Sequence, residues 1–224
     1  YKHSIGAQKR RRFKRKITGG RGEENRMEKV LEYFTIDGAV GGSQAWFHNV
    51  VMYMGGCAAA TACDSSIYFA LHKGWTNLYP FDIHHLTKEE YVRFAMKMKP
   101  YLKPRVGGVK KPSMFIEGYA AYLKDVGNKT LHMEAFEGEH SDEEAEHYIK
   151  QQIDRGYPVP YLMLRHQDER YKDFEWHWFL CYGYEIRDNR MWIAVATYGQ
   201  KSMLPLKELW NTGWEEKGGL IGFY

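Results

Sequence analysis

Helical signals fill the first two-thirds of this chain and strand signals the last third. Ala58 to Leu71 is Ala-rich, lies between Gly55-Gly56 and Gly74, and carries apolar residues at near-helical spacing (Ala59, Ala62, Ile67, Ala70, Leu71), so it predicts a helix. Thr87-Lys88-Glu89-Glu90 and Ser141-Asp142-Glu143-Glu144 are capping boxes that open helices to about Lys97 and Asp154. Ser113 to Val126 reads as a helix with Phe115, Tyr119, Tyr122 and Leu123 on one side. Residues 27–34 read as a short amphipathic helix, and Trp46 to Tyr53 fits strand or helix equally. Residues 99–112, with Gly107-Gly108 and prolines, read as a loop. Beyond them, Tyr161–Arg165, Trp176–Glu185, Met191–Tyr198 and Leu220–Tyr224 read as strands, with a short helix near 206–210. The residues Ile186 to Arg190 have the chemistry of a hairpin turn. Helices first and antiparallel strands later predict an α+β fold, not a βαβ repeat.

Length and charge set the outer limits. A chain of 224 residues favours one domain with at most an appendage. Three cysteines are no disulfide framework. No run approaches the 18 to 20 apolar residues that a membrane span needs. The basic start leads into Gly19-Gly20 rather than an apolar signal region, so cytoplasmic residence is expected. Residues 1–26 hold ten of the 32 Lys and Arg against two acidic residues, whereas 27–224 are mildly acidic. The run Lys9 to Lys16 has seven positive charges in eight positions. Such a block repels itself, and reads either as an arm for nucleic acid or another anionic surface, or as a solvated tail. Nucleic acid is implied through this run alone.

The strongest local signal for chemistry is Gly55-Gly56-Cys57 at the start of the predicted helix. A thiol there meets unpaired amides and the positive end of the helix dipole, which favour thiolate, and the same amides can donate to an oxyanion. A small buried Cys beside a tight turn fits the pattern as well. Cys63, inside the helix on another face, and Cys181, mid-strand between apolar residues, read as core. A nucleophilic thiol needs a base, and the base an orienting partner. His177 is the best base among ten histidines, at the start of an apolar strand between Trp176 and Trp178. In an antiparallel hairpin, residue numbers opposite each other have a constant sum, so a turn at 187–189 sets His177 against residues 198 to 200. The orienting group is then expected within Ala196–Gln200, where Thr197 and Gln200 are the polar choices.

Together these motifs resemble the papain-like cysteine peptidase superfamily: small-Gly-Cys opening an Ala-rich helix, a late His-Trp-aliphatic strand ending in Gly-Tyr, and a second strand ending in aromatic-Gly. The nearest flavour is the bacterial bacteriocin-leader-processing type and its uncharacterised relatives. The resemblance spans residues 44–200 and implies N-terminal helices packed on a C-terminal antiparallel sheet, one such domain over 27–224, Cys57 as nucleophile and His177 as base. It departs from the family at two places. Thr197 or a neighbour stands where Asp or Asn is usual, and Val51 stands where the oxyanion Gln is usual. Gln44, thirteen residues before Cys57, reaches the site only if 45–54 loop back; with Gly56 and Trp178 it completes the expected oxyanion and substrate-binding set.

The implied activity is a thiol-dependent hydrolase, a peptidase or amidase that needs no cofactor and no metal and takes a peptide or amide substrate. The same Cys-His pair would serve an acyltransferase. A papain-like domain without activity that binds a peptide or protein partner is the alternative. His84-His85 and the His140, Glu143, Glu144, His147 group lack tight zinc spacing, and the latter lies in a run of charge that reads as a solvated face.

Overall fold

A computed structural model describes residues 26–105 and 107–224. The basic run 9–16 and nearly all of the expected arm lie outside the described residues. The fold is mixed α+β, with an antiparallel sheet and several helices.

The central helix is α2 (Cys57–Lys73), preceded by the short α1 (Val50–Gly55). Twelve residues of α2 are buried, from Ala58 to Ala70, so the helix is enclosed on nearly all sides. Its small residues let neighbours approach closely, and Gly74 ends it in the left-handed conformation (φ 72°). Thr87 caps α3 (Lys88–Met98) by accepting from the Glu90 amide. Pro112 opens α4 (Pro112–Asp125), and the expected capping box opens α5 (Asp142–Asp154), with Ser141 and Glu144 bonded reciprocally. The short α6 is Leu206–Trp210.

Seven strands make the main sheet: β1 (Met27–Val30), β4 (Met133–Glu137), β5 (Val159–Met163), β6 (His177–Arg187), β7 (Arg190–Thr197), β8 (Gln200–Pro205) and β9 (Gly218–Phe223). Their order is β4-β9-β5-β6-β7-β8, all antiparallel. The first nine residues of β6 are buried, as suits a central strand, and α2 packs against it. One contiguous apolar core joins the sheet to α2, α3, α4 and α5. A two-stranded hairpin, β2 (Thr35–Ile36) with β3 (Ala39–Val40), turns through Asp37-Gly38, both at positive φ.

Residues 27–34 are not the expected helix. β5 pairs with β6 only from His177 to Cys181, which leaves the rest of that edge open, and β1 fills it from Gly183 to Ile186. Eight residues make a marginal helix at best, so pairing with an otherwise open strand edge prevails. The strands β4 and β8 and the 3₁₀ segment Glu169–Phe174 are further elements not foreseen. Residues 46–53 resolve into helical turns, Gln44–Trp46 and α1. Asp188-Asn189 form the β6–β7 turn, both at positive φ, as a two-residue primed turn needs. Opposed residues therefore sum to 377 near the turn, and an irregularity between Cys181 and Gly183 lowers the sum to 376 beyond it.

Candidate active site

Cys57 is the first residue of α2, His177 the first of β6 and Thr197 the last of β7. The three line one narrow cleft, about 10 Å³ in volume, with Gln44, Trp178, Tyr198 and Asp64. That is room for about one water molecule. Gly56, expected in the oxyanion set, does not line the cleft; it ends α1 and precedes α2, and a Cβ there would lie 2.4 Å from the Met52 carbonyl oxygen. Any other residue would push α1 away from α2.

His177 Nε2 is hydrogen-bonded to Thr197 Oγ1 at 2.7 Å. With Nε2–H as the donor, Nδ1 is left unprotonated and able to act as a base. Thr197 thus stands where the hairpin arithmetic expects an orienting group. Gln200 does not share that role. It is exposed, begins the edge strand β8, one strand further from β6, and does not line the cleft. Trp178 turns its indole into the wall, stacked on Phe115 at 4.6 Å and donating from Nε1 to the Val109 carbonyl at 2.6 Å.

Burial governs both reactive groups. It pushes the Cys57 thiol up, against backbone N–H groups of Trp178, Ala58 and Cys57 that pull it down. Burial also lowers the His177 imidazole to about 4. The helix start was expected to favour thiolate; here desolvation outweighs it, and the resting pair is a neutral thiol beside a neutral imidazole. No hydrogen bond joins the two among the described residues. The Tyr198 hydroxyl instead sits 3.5 Å from His177 Nδ1, and the rings stack at 4.7 Å with an interplanar angle of 1°.

Residues 45–54 do fold back, and Gln44 lines the cleft. Its Nε2 donates to the Tyr53 carbonyl at 3.0 Å, so one N–H remains for an oxyanion. The loop before it, Gly41-Gly42-Ser43, rests on Asp64, a cleft residue not foreseen from the sequence. Asp64 lies seven positions after Cys57 on the same face of α2, and an acid at that spacing within an apolar helix was the available signal. Its carboxylate accepts from Tyr33 and Tyr91 hydroxyls, both at 2.8 Å, and from the Gly42 amide at 3.1 and 3.2 Å. Burial raises it to about 6 against the pull of these donors. A Cβ on Gly42 would fall inside the Tyr91 ring, so only glycine lets the loop lie this close. The loop is also tied to the β7–β8 turn: Gly199 N donates to the Gly42 carbonyl and Val40 N to the Gly199 carbonyl, each at 2.9 Å.

Tyr198 lies within the expected 196–200 window but was not singled out. It has φ 53° and opens the two-residue turn between Thr197 and Gln200. Trp176, just before His177, has φ 51°. Bulky residues rarely adopt this conformation, and such strain gathers at functional sites. Here the two strained aromatics directly adjoin the two hydrogen-bonded side chains of the cleft.

If Thr197 Oγ1 orients the imidazole, Thr197→Val should slow Cys57 alkylation about fivefold, the worth of one neutral hydrogen bond of about 1 kcal/mol. Thr197→Ser should restore it. Equal rates in all three proteins, measured with iodoacetamide at pH 6.5, would remove Thr197 from the site.

A larger cavity of about 490 Å³ is lined by His166, Asp168, Arg190, Lys207 and Glu208 among others and shares no residue with the cleft. His166 has both nitrogens engaged, with the Asp168 amide and the Glu208 carbonyl, so it offers no base there. Among the described residues no group of three or more His, Cys, Asp or Glu could hold a metal, and no helix is long and apolar enough to cross a membrane. No family model matches the chain, and no match was found among curated proteins or solved structures.

Proposed function

We propose that the chain is a thiol-dependent hydrolase of papain-like architecture, a peptidase or amidase acting through Cys57 and His177. The observation that carries this reading is the convergence of three separate elements on one cleft: a thiol at the start of α2, an imidazole at the start of β6, and a hydroxyl at the end of β7 bonded to that imidazole. The strained backbone on the outer side of His177 and of Thr197 adds support.

In this mechanism His177 Nδ1 takes the proton from Cys57 Sγ as the sulfur attacks the substrate carbonyl. Catalytic hydrogen bonds are often long before substrate binds, and Tyr198 must shift from Nδ1 for the pair to close. The oxyanion meets amides at the start of α2 and the remaining N–H of Gln44; one such donor is typically worth about 3 kcal/mol. His177 then protonates the leaving amine, and water hydrolyses the thioester. Another acceptor in place of water makes the same pair an acyltransferase.

A peptidyl acyloxymethyl ketone is expected to add once to the protein, at Cys57, and to add to neither Cys57→Ala nor His177→Ala. A protein unmodified by such a probe, and unable to cleave a mixed peptide library, would overturn the reading. The second reading, a papain-like domain that binds a peptide without cleaving it, is favoured by the Tyr198 ring over His177 and by the absence of a carboxylate or carboxamide on Nε2. It predicts no adduct but retained peptide binding.

A further inference from the structure

Trp176, the residue that precedes His177, shares an arginine with a second tryptophan. The Arg165 guanidinium carbon lies 5.5 Å from the centre of the Trp176 ring and 5.6 Å from that of Trp214. All three residues are exposed, the tryptophans at 47% and 45%. Arg165 makes no ion pair and donates no side-chain hydrogen bond among the described residues.

The arrangement is held from three sides. Trp176 N donates to the Leu164 carbonyl at 2.7 Å, and His166 N donates to Glu175 Oε1 at 2.7 Å, so the residues on either side of Arg165 are fastened to the segment that leads into His177. Gln167 N donates to the Thr212 carbonyl at 2.9 Å and Gln167 Nε2 to the Gly213 carbonyl at 2.8 Å, which fixes the loop carrying Trp214. Trp176 keeps its strained φ of 51° within this frame. Two aromatic rings attract the guanidinium and limit its motion, while its in-plane N–H groups stay open. Those donors form the fork that a carboxylate fits with two parallel hydrogen bonds. Such contacts lower the side-chain entropy that binding has to remove.

We propose that Trp176, Arg165 and Trp214 form a carboxylate-binding subsite of the cleft, so that the substrate class is a peptide bearing a free carboxylate near the bond attacked. The substrate assignment rests on the thiol-hydrolase reading; the anion site itself does not.

Chloroacetyl-glycine peptides of one to three residues, each as free acid and as C-terminal amide, test the substrate assignment. In each, Cys57 Sγ displaces chloride to form a thioether. The acid should alkylate wild-type Cys57 about tenfold faster than the amide at the length that spans the gap, as one charge-assisted pair would give. In Arg165→Gln the acid-to-amide ratio should fall to about one. A ratio near one in the wild type at every length overturns the substrate assignment. If Cys57 reacts with none of the probes, the thiol-hydrolase reading fails instead. The anion site is then judged by the Arg165 Nε–Hε resonance, identified by its loss in Arg165→Gln. That resonance should move with acetyl-triglycine and not with its amide. No movement with the acid, or movement with inorganic phosphate alone, overturns the carboxylate site.

Discussion

His177→Ala is expected to change the shape, and not only the height, of the pH profile for Cys57 alkylation. The imidazole sits near 4 and burial pushes the thiol up, so between those limits the pair keeps one proton. Thiol with imidazole and thiolate with imidazolium hold the same number of protons. The ion-paired fraction therefore does not vary with pH across that window, and it carries the reaction wherever it exceeds the thiolate formed by direct ionisation. Where the ion pair carries the reaction, the wild-type rate with iodoacetamide should stay level above about pH 4 until direct ionisation overtakes it, and should fall through about 4. Without His177 only direct ionisation yields thiolate, and the rate should drop tenfold for each pH unit below the thiol's own titration. At low pH, where direct ionisation yields least thiolate, the wild type should react the faster of the two. Cys63 and Cys181 are internal controls: both are buried, and burial holds the first well above its ordinary value and the second at about 12. If both proteins lose rate with the same tenfold slope, no thiol–imidazole pair operates, and the binding-domain reading takes over.

What was legible in the sequence follows how local each cause is. The start and end of α2 are set by Gly55-Gly56 and Gly74 together with its own Ala-rich run, so the helix and the thiol at its start could be read from adjacent residues. Thr197 could be reached because a hairpin links β6 to β7 by arithmetic alone; the irregularity at Cys181–Gly183 shifts that sum by only one. The 27–34 segment could not be read, because its pairing depends on where β5 stops, more than 120 residues away. Gln200 looked equivalent to Thr197 because only the two-residue turn through Tyr198-Gly199 decides which of them stays beside β6. The Trp176–Arg165–Trp214 stack joins three segments whose proximity no spacing rule supplies.

Asp64→Ala should be the most destabilising single change near the cleft. It leaves two tyrosine hydroxyls and the Gly42 amide without their acceptor, and unsatisfied buried donors cost about 1–3 kcal/mol each. Part of that is offset because the carboxylate is itself unfavourable here, so a net loss of about 3 kcal/mol is expected. The pH dependence separates the two contributions. Asp64 rises from an ordinary 3.8 to about 6 on folding, so its contribution is fully present below 3.8 and lost as pH rises through 6. His177 falls from 6.5 to about 4, so its contribution is present above 6.5 and lost as pH falls through 4. Each amounts to about 3 kcal/mol, with opposite sign over overlapping windows, and in the wild type the two nearly cancel. Asp64→Asn keeps an acceptor for the tyrosines but cannot titrate. Its urea-melt stability should therefore drop by about 3 kcal/mol between pH 6.5 and 4, where the wild type stays nearly level. His177→Ala should instead gain stability on acidification over that range. Parallel curves for Asp64→Asn and wild type would mean that Asp64 has an ordinary titration. Asp64 also fastens the loop that bears Gln44 and holds the Tyr198-Gly199 turn, so Asp64→Ala should slow Cys57 alkylation even at a pH and temperature where it remains folded. A folded Asp64→Ala protein with wild-type alkylation would show that the cleft is held by the sheet and α2 alone.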